Sequence, residues 1–234
     1  KVASSGGKYF RVPTVEYAIR LVEDLLRKYP EVQHIEFLDD LLIANKRWFQ
    51  EFARQSTAGV GLPYRTNGRF ECITPEVVEQ LRESGCQRMF FGLESGNEWI
   101  RTHVCNRRHS NKMILERLAM VKKAGIEIQT LNIIGFPFET KAQMWETLRL
   151  NQKIAPHFGT AFYFHPYKGT ELHRMCRDAG LLYEDGFYEK LTHNSVRPFI
   201  KLSHMSEKDC VRFQRRISFY FFTQTSRYRI RRML

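Results

Sequence analysis

The sequence predicts an α/β fold built on parallel strands, and three observations carry the prediction. Short apolar runs begin near residues 34, 61, 88, 127 and 160, and helical spacing of apolar positions follows each of them. Strand and helix therefore alternate in β/α units, whose right-handed crossovers lay successive strands parallel. The runs also end in polar groups, most plainly in Arg88 to Gly96, where Phe91 and Leu93 give way to Glu94, Ser95 and Gly96. Ligand-binding groups of α/β folds sit at such carboxyl ends. Five units are too few to close an eight-stranded barrel, so an open or partial barrel and a doubly wound sheet both remain.

Residues 1–8 read as an unordered lead-in rich in serine and glycine. Thr14 is a natural N-cap for a first amphipathic helix through Val15, Ala18, Val22, Leu25 and Leu26. A short strand, His34 to Asp40, ends in the adjacent carboxylates Asp39 and Asp40. A helix from about Asn45 to Gln55 then leads to a strand over Val60 to Asn67, which would put Arg65 near a carboxyl end.

The next helix is punctuated at both ends, with Thr74 and Pro75 at its start and Gly85 just past its end. Arg88 to Ser95 reads as a buried strand, Ser110 caps a helix that stops at Gly125, and Glu127 to Ile134 is a fourth strand. Thr140 with Gln143 has capping-box spacing ahead of a helix to Pro156. A fifth strand covers Thr160 to His165, and Thr170 caps a short helix closed by Gly180. From Leu181 to Lys201 the pattern weakens to a linker-like stretch, after which Ser206 and Asp209 start a basic amphipathic helix expected to pack back on the sheet.

The 234 residues are 43% hydrophobic and suffice for one large domain. No apolar run of membrane-spanning length and no signal-peptide pattern occurs, which points to a cytoplasmic setting. The five cysteines are odd in number, far apart and without a C-x-x-C pair, which argues against a disulfide framework and against a zinc or cluster site within the chain. Of the net charge of +12, seven positive charges follow Asp209, where no acidic residue remains. Such a terminus can meet an anionic partner of several kinds.

Taken together, Phe37-Leu38-Asp39-Asp40, Gly92-Leu93-Glu94-Ser95-Gly96-Asn97-Glu98, Asn106-Arg107, Ile133 to Thr140 and Pro166-Tyr167-Lys168-Gly169-Thr170 follow one another in an order that resembles radical S-adenosylmethionine (SAM) enzymes. The dialect is similar to the group that carries a cobalamin-binding domain ahead of the radical domain. The resemblance runs from about residue 9 to residue 180 and rests on the spacing of five weak motifs. It implies a partial (β/α)6 TIM-like barrel over residues 9–180, followed by a C-terminal extension over 181–234.

It also implies SAM as cofactor and a 4Fe-4S cluster held by a C-x-x-x-C-x-x-C motif, from which electron injection yields a 5′-deoxyadenosyl radical. That cysteine motif and the strand before it are absent here, so the resemblance implies a chain that begins just downstream of the cluster loop. The expected partners are a small-molecule substrate, an electron donor such as flavodoxin or ferredoxin, and an N-terminal cobalamin-binding domain of the same protein. Methyl transfer or oxidative rearrangement at an unactivated carbon would be the reaction, with substrate set by variable loops. Nucleic acid is not expected as a partner.

By the same resemblance, Asp39 and Asp40 face the SAM ammonium, while Glu94 and Ser95 bind the ribose hydroxyls or the methionyl end. Arg65 and Arg107 are candidates for the SAM carboxylate, because guanidinium forks match that group. Ile133, Gly135 and Pro137 form a shelf under adenine. The family has a glycine where Leu131 stands and a glutamate one position before Glu139, so this shelf matches more loosely. The alternative is an inactive barrel whose arginine-rich end binds nucleic acid or an acidic partner.

Overall fold

A computed structural model describes residues 12–38, 42–59, 61–184 and 197–233, the side chains of 57–59 and 231–233 aside. The lead-in, the segment around residues 9–11, and Asp39 and Asp40 lie outside the described residues. The elements in chain order are α1 (Val15–Lys28), β1 (Ile35–Phe37), α2 (Lys46–Gly59), β2 (Tyr64–Gly68), α3 (Pro75–Glu83) and β3 (Cys86–Glu94). They continue with α4 (Asn111–Lys123), β4 (Glu127–Ile134), α5 (Lys141–Ile154), β5 (Phe158–Tyr163), α6 (Glu171–Asp178) and α7 (Glu207–Met233).

All five strands are parallel and stand in the order β1-β2-β3-β4-β5. An unbroken order means that every crossover winds the same way, whereas a doubly wound sheet reverses direction at a switch point. The sheet is therefore a partial barrel wound in one direction.

Burial alternates along its strands. In β3 the residues Met89, Phe91 and Leu93 are buried under the helices, while Arg88, Phe90, Gly92 and Glu94 are only half-buried. This corrects the expectation of a strand buried on both sides. Five strands do not close around their interior, so the inner face keeps contact with solvent and can carry polar groups.

Local chemistry sets the element ends as expected at Thr14, Thr74, Ser110 and Thr170, each accepting from the third helical N–H. The Thr140–Gln143 capping box is closed in both directions. The second strand is the exception. Helix α2 runs on to Gly59, Gly61 turns the chain with φ of 62°, and pairing begins only at Tyr64. The strand thus starts about four residues later than its apolar pattern suggested, and Arg65 falls at its amino end.

The main core lies between β1 to β4 and helices α1 to α4. A second core seats α7, whose Cys210, Phe213, Ile217 and Phe221 pack with Ile134, Met144, Leu148 and Tyr163. Gly159 makes room for this helix, since a Cβ there would stand 2.2 Å from the Phe221 ring. Helix α5 is pinned to β4 by a buried polar chain: Thr130 donates to Asn151 at 2.7 Å, and Asn151 donates to Asn132 at 2.8 Å. The ends of the linker-like stretch also pack, with Leu182 paired to Ile200. Among the described residues no helix is long and apolar enough to cross a membrane.

Candidate functional site

The carboxyl end of β3 breaks its own ladder. Register against β4 slips between Gly92 and Glu94, and Glu94 adopts a φ of 61°. A non-glycine residue in the left-handed region is uncommon, and at a strand end it marks a bulge that re-aims its side chain. The Glu94 carboxylate folds back over Gly92, where a Cβ would stand 2.8 Å from Oε1. Gly92 is thus a cradle for that carboxylate. The same Oε1 pairs with Nη2 of Arg107 at 3.1 Å. Burial pushes the Glu94 carboxyl above its usual range, and the Arg107 charge pulls it back part of the way.

Arg107 is positioned by a residue that sequence reasoning missed. Arg101 is 1% exposed, inside a single wide helical turn over Ile100–Val104. Its guanidinium donates to the Ser95 carbonyl at 2.5 Å, to the His109 carbonyl at 2.9 and 3.3 Å, and to Asn111 Oδ1 at 2.6 Å. The Arg107 N–H in turn donates to the Arg101 carbonyl at 2.7 Å, just after Asn106 takes a φ of 52°. One buried fork therefore ties the end of β3 to the start of α4 and sets the loop between. The sequence carried one signal of it, a charged residue set among the apolar positions Ile100 and Val104.

Ser95 goes the other way. It is fully buried toward α5, its hydroxyl 3.5 Å from that of Thr147 and accepting from the Asn97 N–H at 3.2 Å. Gly96 is held there too, because a Cβ would stand 2.3 Å from the Glu146 carbonyl oxygen, and its N–H donates to Thr147 at 2.8 Å. The structure thus assigns Ser95 and Gly96 to packing and separates them from Glu94. Strand alternation held this outcome in advance, since Ser95 shares the parity of the buried Phe91 and Leu93.

Glu94 and Arg107 open onto a cavity of about 670 Å³ that also takes in Cys105, Ile133, Phe136 and His165. Ile133 and Phe136 lie on its wall, whereas Gly135 and Pro137 do not. Gly135 has a φ of 71° and, with Phe136, donates its N–H to Oε2 of the buried Glu139, at 2.8 and 3.2 Å. Those two bonds favour the ionised carboxylate, yet burial outweighs them and raises Glu139 to about 7. The Cys105 thiol is pushed up to about 12 by burial and then by the Glu94 charge, so it stays protonated. On the far wall His165 packs between Tyr167 and Phe199, with ring centroids 4.4 and 4.6 Å apart.

Arg65 is not at this site. It pairs with Arg88 at the amino end of the sheet, at the other end of β3 from Glu94. Six residue steps along the strand lead from Arg88 to Glu94, roughly 20 Å at the rise of a parallel strand. Among the described residues no group of three or more His, Cys, Asp and Glu could hold a metal ion, and all five cysteines are free.

Comparison with known proteins fits this architecture. A protein of Pyrococcus horikoshii described as an uncharacterized methyltransferase is 26% identical over 217 residues, 92% of this chain and 46% of its own length. A tRNA-2-methylthio-N(6)-dimethylallyladenosine synthase of Protochlamydia amoebophila is 29% identical over 45% of this chain and 24% of its own. The chain spans less than half the length of either. Among solved structures, the cobalamin-dependent S-adenosylmethionine radical enzyme OxsB superposes with a TM-score of 0.66 at 15% identity, over 88% of this chain and 37% of that one. Coproporphyrinogen III oxidase from Escherichia coli gives 0.57 at 14% identity, over 90% and 46%. These likenesses show the fold. The Radical SAM superfamily matches residues 3–150, well over half the chain, and it is to this superfamily that the protein belongs.

Proposed function

We propose that the cavity at the carboxyl end of β3 binds S-adenosylmethionine, and that the chain is the cofactor-binding body of an enzyme of methyl transfer or oxidative rearrangement at an unactivated carbon. The observation that carries this reading is the Glu94–Arg107 pair folded over Gly92. A carboxylate accepts two hydrogen bonds and suits the vicinal hydroxyls of a ribose, while a guanidinium fork suits the cofactor's carboxylate. Ile133 and Phe136 offer an apolar wall for a purine, and a cavity of about 670 Å³ is of the size that small cofactors fill. The wall of His165, Tyr167 and Phe199 remains for the substrate, which it would orient by aromatic contact.

The described residues do not fit an iron–sulfur cluster, as no cysteine group converges on the cavity. When bound, the superfamily's cluster supplies the electron that cleaves the cofactor. We place its C-x-x-x-C-x-x-C ligands outside this chain, together with any cobalamin-binding domain, and propose a flavodoxin- or ferredoxin-type electron donor as partner. Calorimetric titration of SAM into the 234-residue chain tests the binding claim. Weak, millimolar binding is expected, lowered a further ~10-fold by Glu94→Ala or Arg107→Ala, each the loss of about 1.4 kcal/mol. Binding that survives both substitutions unchanged would sink the assignment.

A further inference from the structure

The opposite end of the barrel carries a second constellation that the cofactor site does not use. Every strand contributes to it at or next to its amino end: His34 before β1, Arg65 in β2, Gln87 and Arg88 in β3, Glu127 in β4 and Phe158 in β5. The last turns of α7 add Tyr228 and Arg229, and together these enclose about 630 Å³.

Its charges are unequally matched. Arg88 is spent on Glu127, donating through Nε at 2.7 Å and Nη2 at 2.6 Å, and its guanidinium lies 3.5 Å over the Phe158 ring. The Tyr228 hydroxyl donates to the other Glu127 oxygen at 2.5 Å. With the one carboxylate held from both sides, Arg65 and Arg229 have no anionic partner among the described residues, which leaves the cavity two positive charges in excess.

Arg65 Nε is buried and makes no hydrogen bond, and the Gln87 carboxamide oxygen beside it is buried and unbonded as well. A buried donor left without an acceptor costs about 1–3 kcal/mol, and more when it is charged, so the arrangement is costly unless something enters the cavity. Two guanidinium groups match the oxygens of a phosphate, and an amide serves as donor or acceptor by turning half a turn.

We propose that the amino end of the barrel is a second binding site, for the phosphate group of a small molecule, with Arg65 and Arg229 as the anion-holding forks. Nothing in this reading depends on SAM binding at the other end.

The test is titration of inorganic phosphate into the 234-residue chain at constant ionic strength, with melting temperature followed in parallel. Saturable binding is expected, weakened ~10-fold by Arg65→Gln and less by Arg229→Gln, and unchanged by Arg212→Gln on the exposed face of the same helix. Without phosphate, Arg65→Gln should melt at the wild-type temperature or above, since it removes a buried Nε donor that has no acceptor; with phosphate, wild type alone should gain stability. Arg65→Lys, which keeps the charge and loses the fork, should bind with intermediate strength. Phosphate binding equal in all variants, or none at all, overturns the site. A single-stranded oligonucleotide that binds more tightly than phosphate and loses that advantage in Arg65→Gln overturns the small-molecule assignment.

Discussion

At the carboxyl end of β3 a charged group is held by loops, and at its amino end by strands. Glu94 leaves the ladder at a bulge, stands in the left-handed region, and finds its partner Arg107 on a loop set by the buried Arg101. Arg88 and Glu127 are register neighbours on β3 and β4, whose mutual pairing is regular at this end; the register shift here lies between β2 and β3, at Tyr64 and Arg65. The first arrangement is made within the single loop between β3 and α4 and can be rebuilt as that loop changes, while the second joins residues far apart in sequence that the sheet brings into register. A barrel that varies its chemistry at one end and keeps its frame at the other would be built in this way.

If the carboxyl end depends on its latch, Arg101→Met should be the most damaging single change. It leaves the Ser95 and His109 carbonyls and the Asn111 side chain without their donor in a dry site. The expected loss is about 3–5 kcal/mol in denaturant unfolding, with SAM binding lost together with the position of Arg107. A variant of near wild-type stability would show that the loop is held in some other way. Gly96→Ala should follow at about 3 kcal/mol, because its Cβ would collide with the backbone of α5 rather than with a side chain that can move.

Glu139 gives the same end a dependence on pH. Burial raises its carboxyl from 4.5 to about 7, so in that interval the folded protein binds a proton that the unfolded chain has released. The sign follows: this group's contribution to stability is present below about pH 4.5 and is lost as pH rises through 7. Glu139→Gln stays neutral throughout, and its amide oxygen can still accept from Gly135 and Phe136. Unfolding free energies from urea titration should therefore fall less between pH 5 and pH 8 in the variant than in wild type, by about 2 kcal/mol. Parallel falls in the two proteins would leave Glu139 ionised at both pH values.

How much of this could be read from the sequence differs between the two ends for a physical reason. Caps and strand rhythm are local, and Thr74, Ser110, Thr140 and Thr170 declared their roles through residues within a turn of themselves. Glu94 was legible as a polar residue closing an apolar strand. Arg65 was misplaced because the strand containing it starts at Tyr64 and not at Val60, a boundary set by the continuation of α2 and the turn at Gly61. Arg101 left almost no trace, since its partners are carbonyls, which every residue has. The arginine-rich terminal helix left an anionic partner open as the alternative, and its sequence did not show that Tyr228 is engaged with Glu127 and with the His157 and Phe158 rings.

The smallest effect is expected where the strands hold the charges. Tyr228→Phe removes one hydroxyl from Glu127 Oε1 and leaves both Arg88 donors on Oε2 in place. The ring contacts with His157 and Phe158 survive the change, so packing of α7 should not be disturbed. A loss of about 1 kcal/mol is expected in thermal or denaturant unfolding, at the low end for a bond to a charged group because Arg88 still neutralises the carboxylate. SAM binding at the other end should be unaffected, since the effect would have to travel the length of β3. A loss near that of Arg101→Met would mean that the amino end also hangs on a single contact, and the distinction between the two ends would fail.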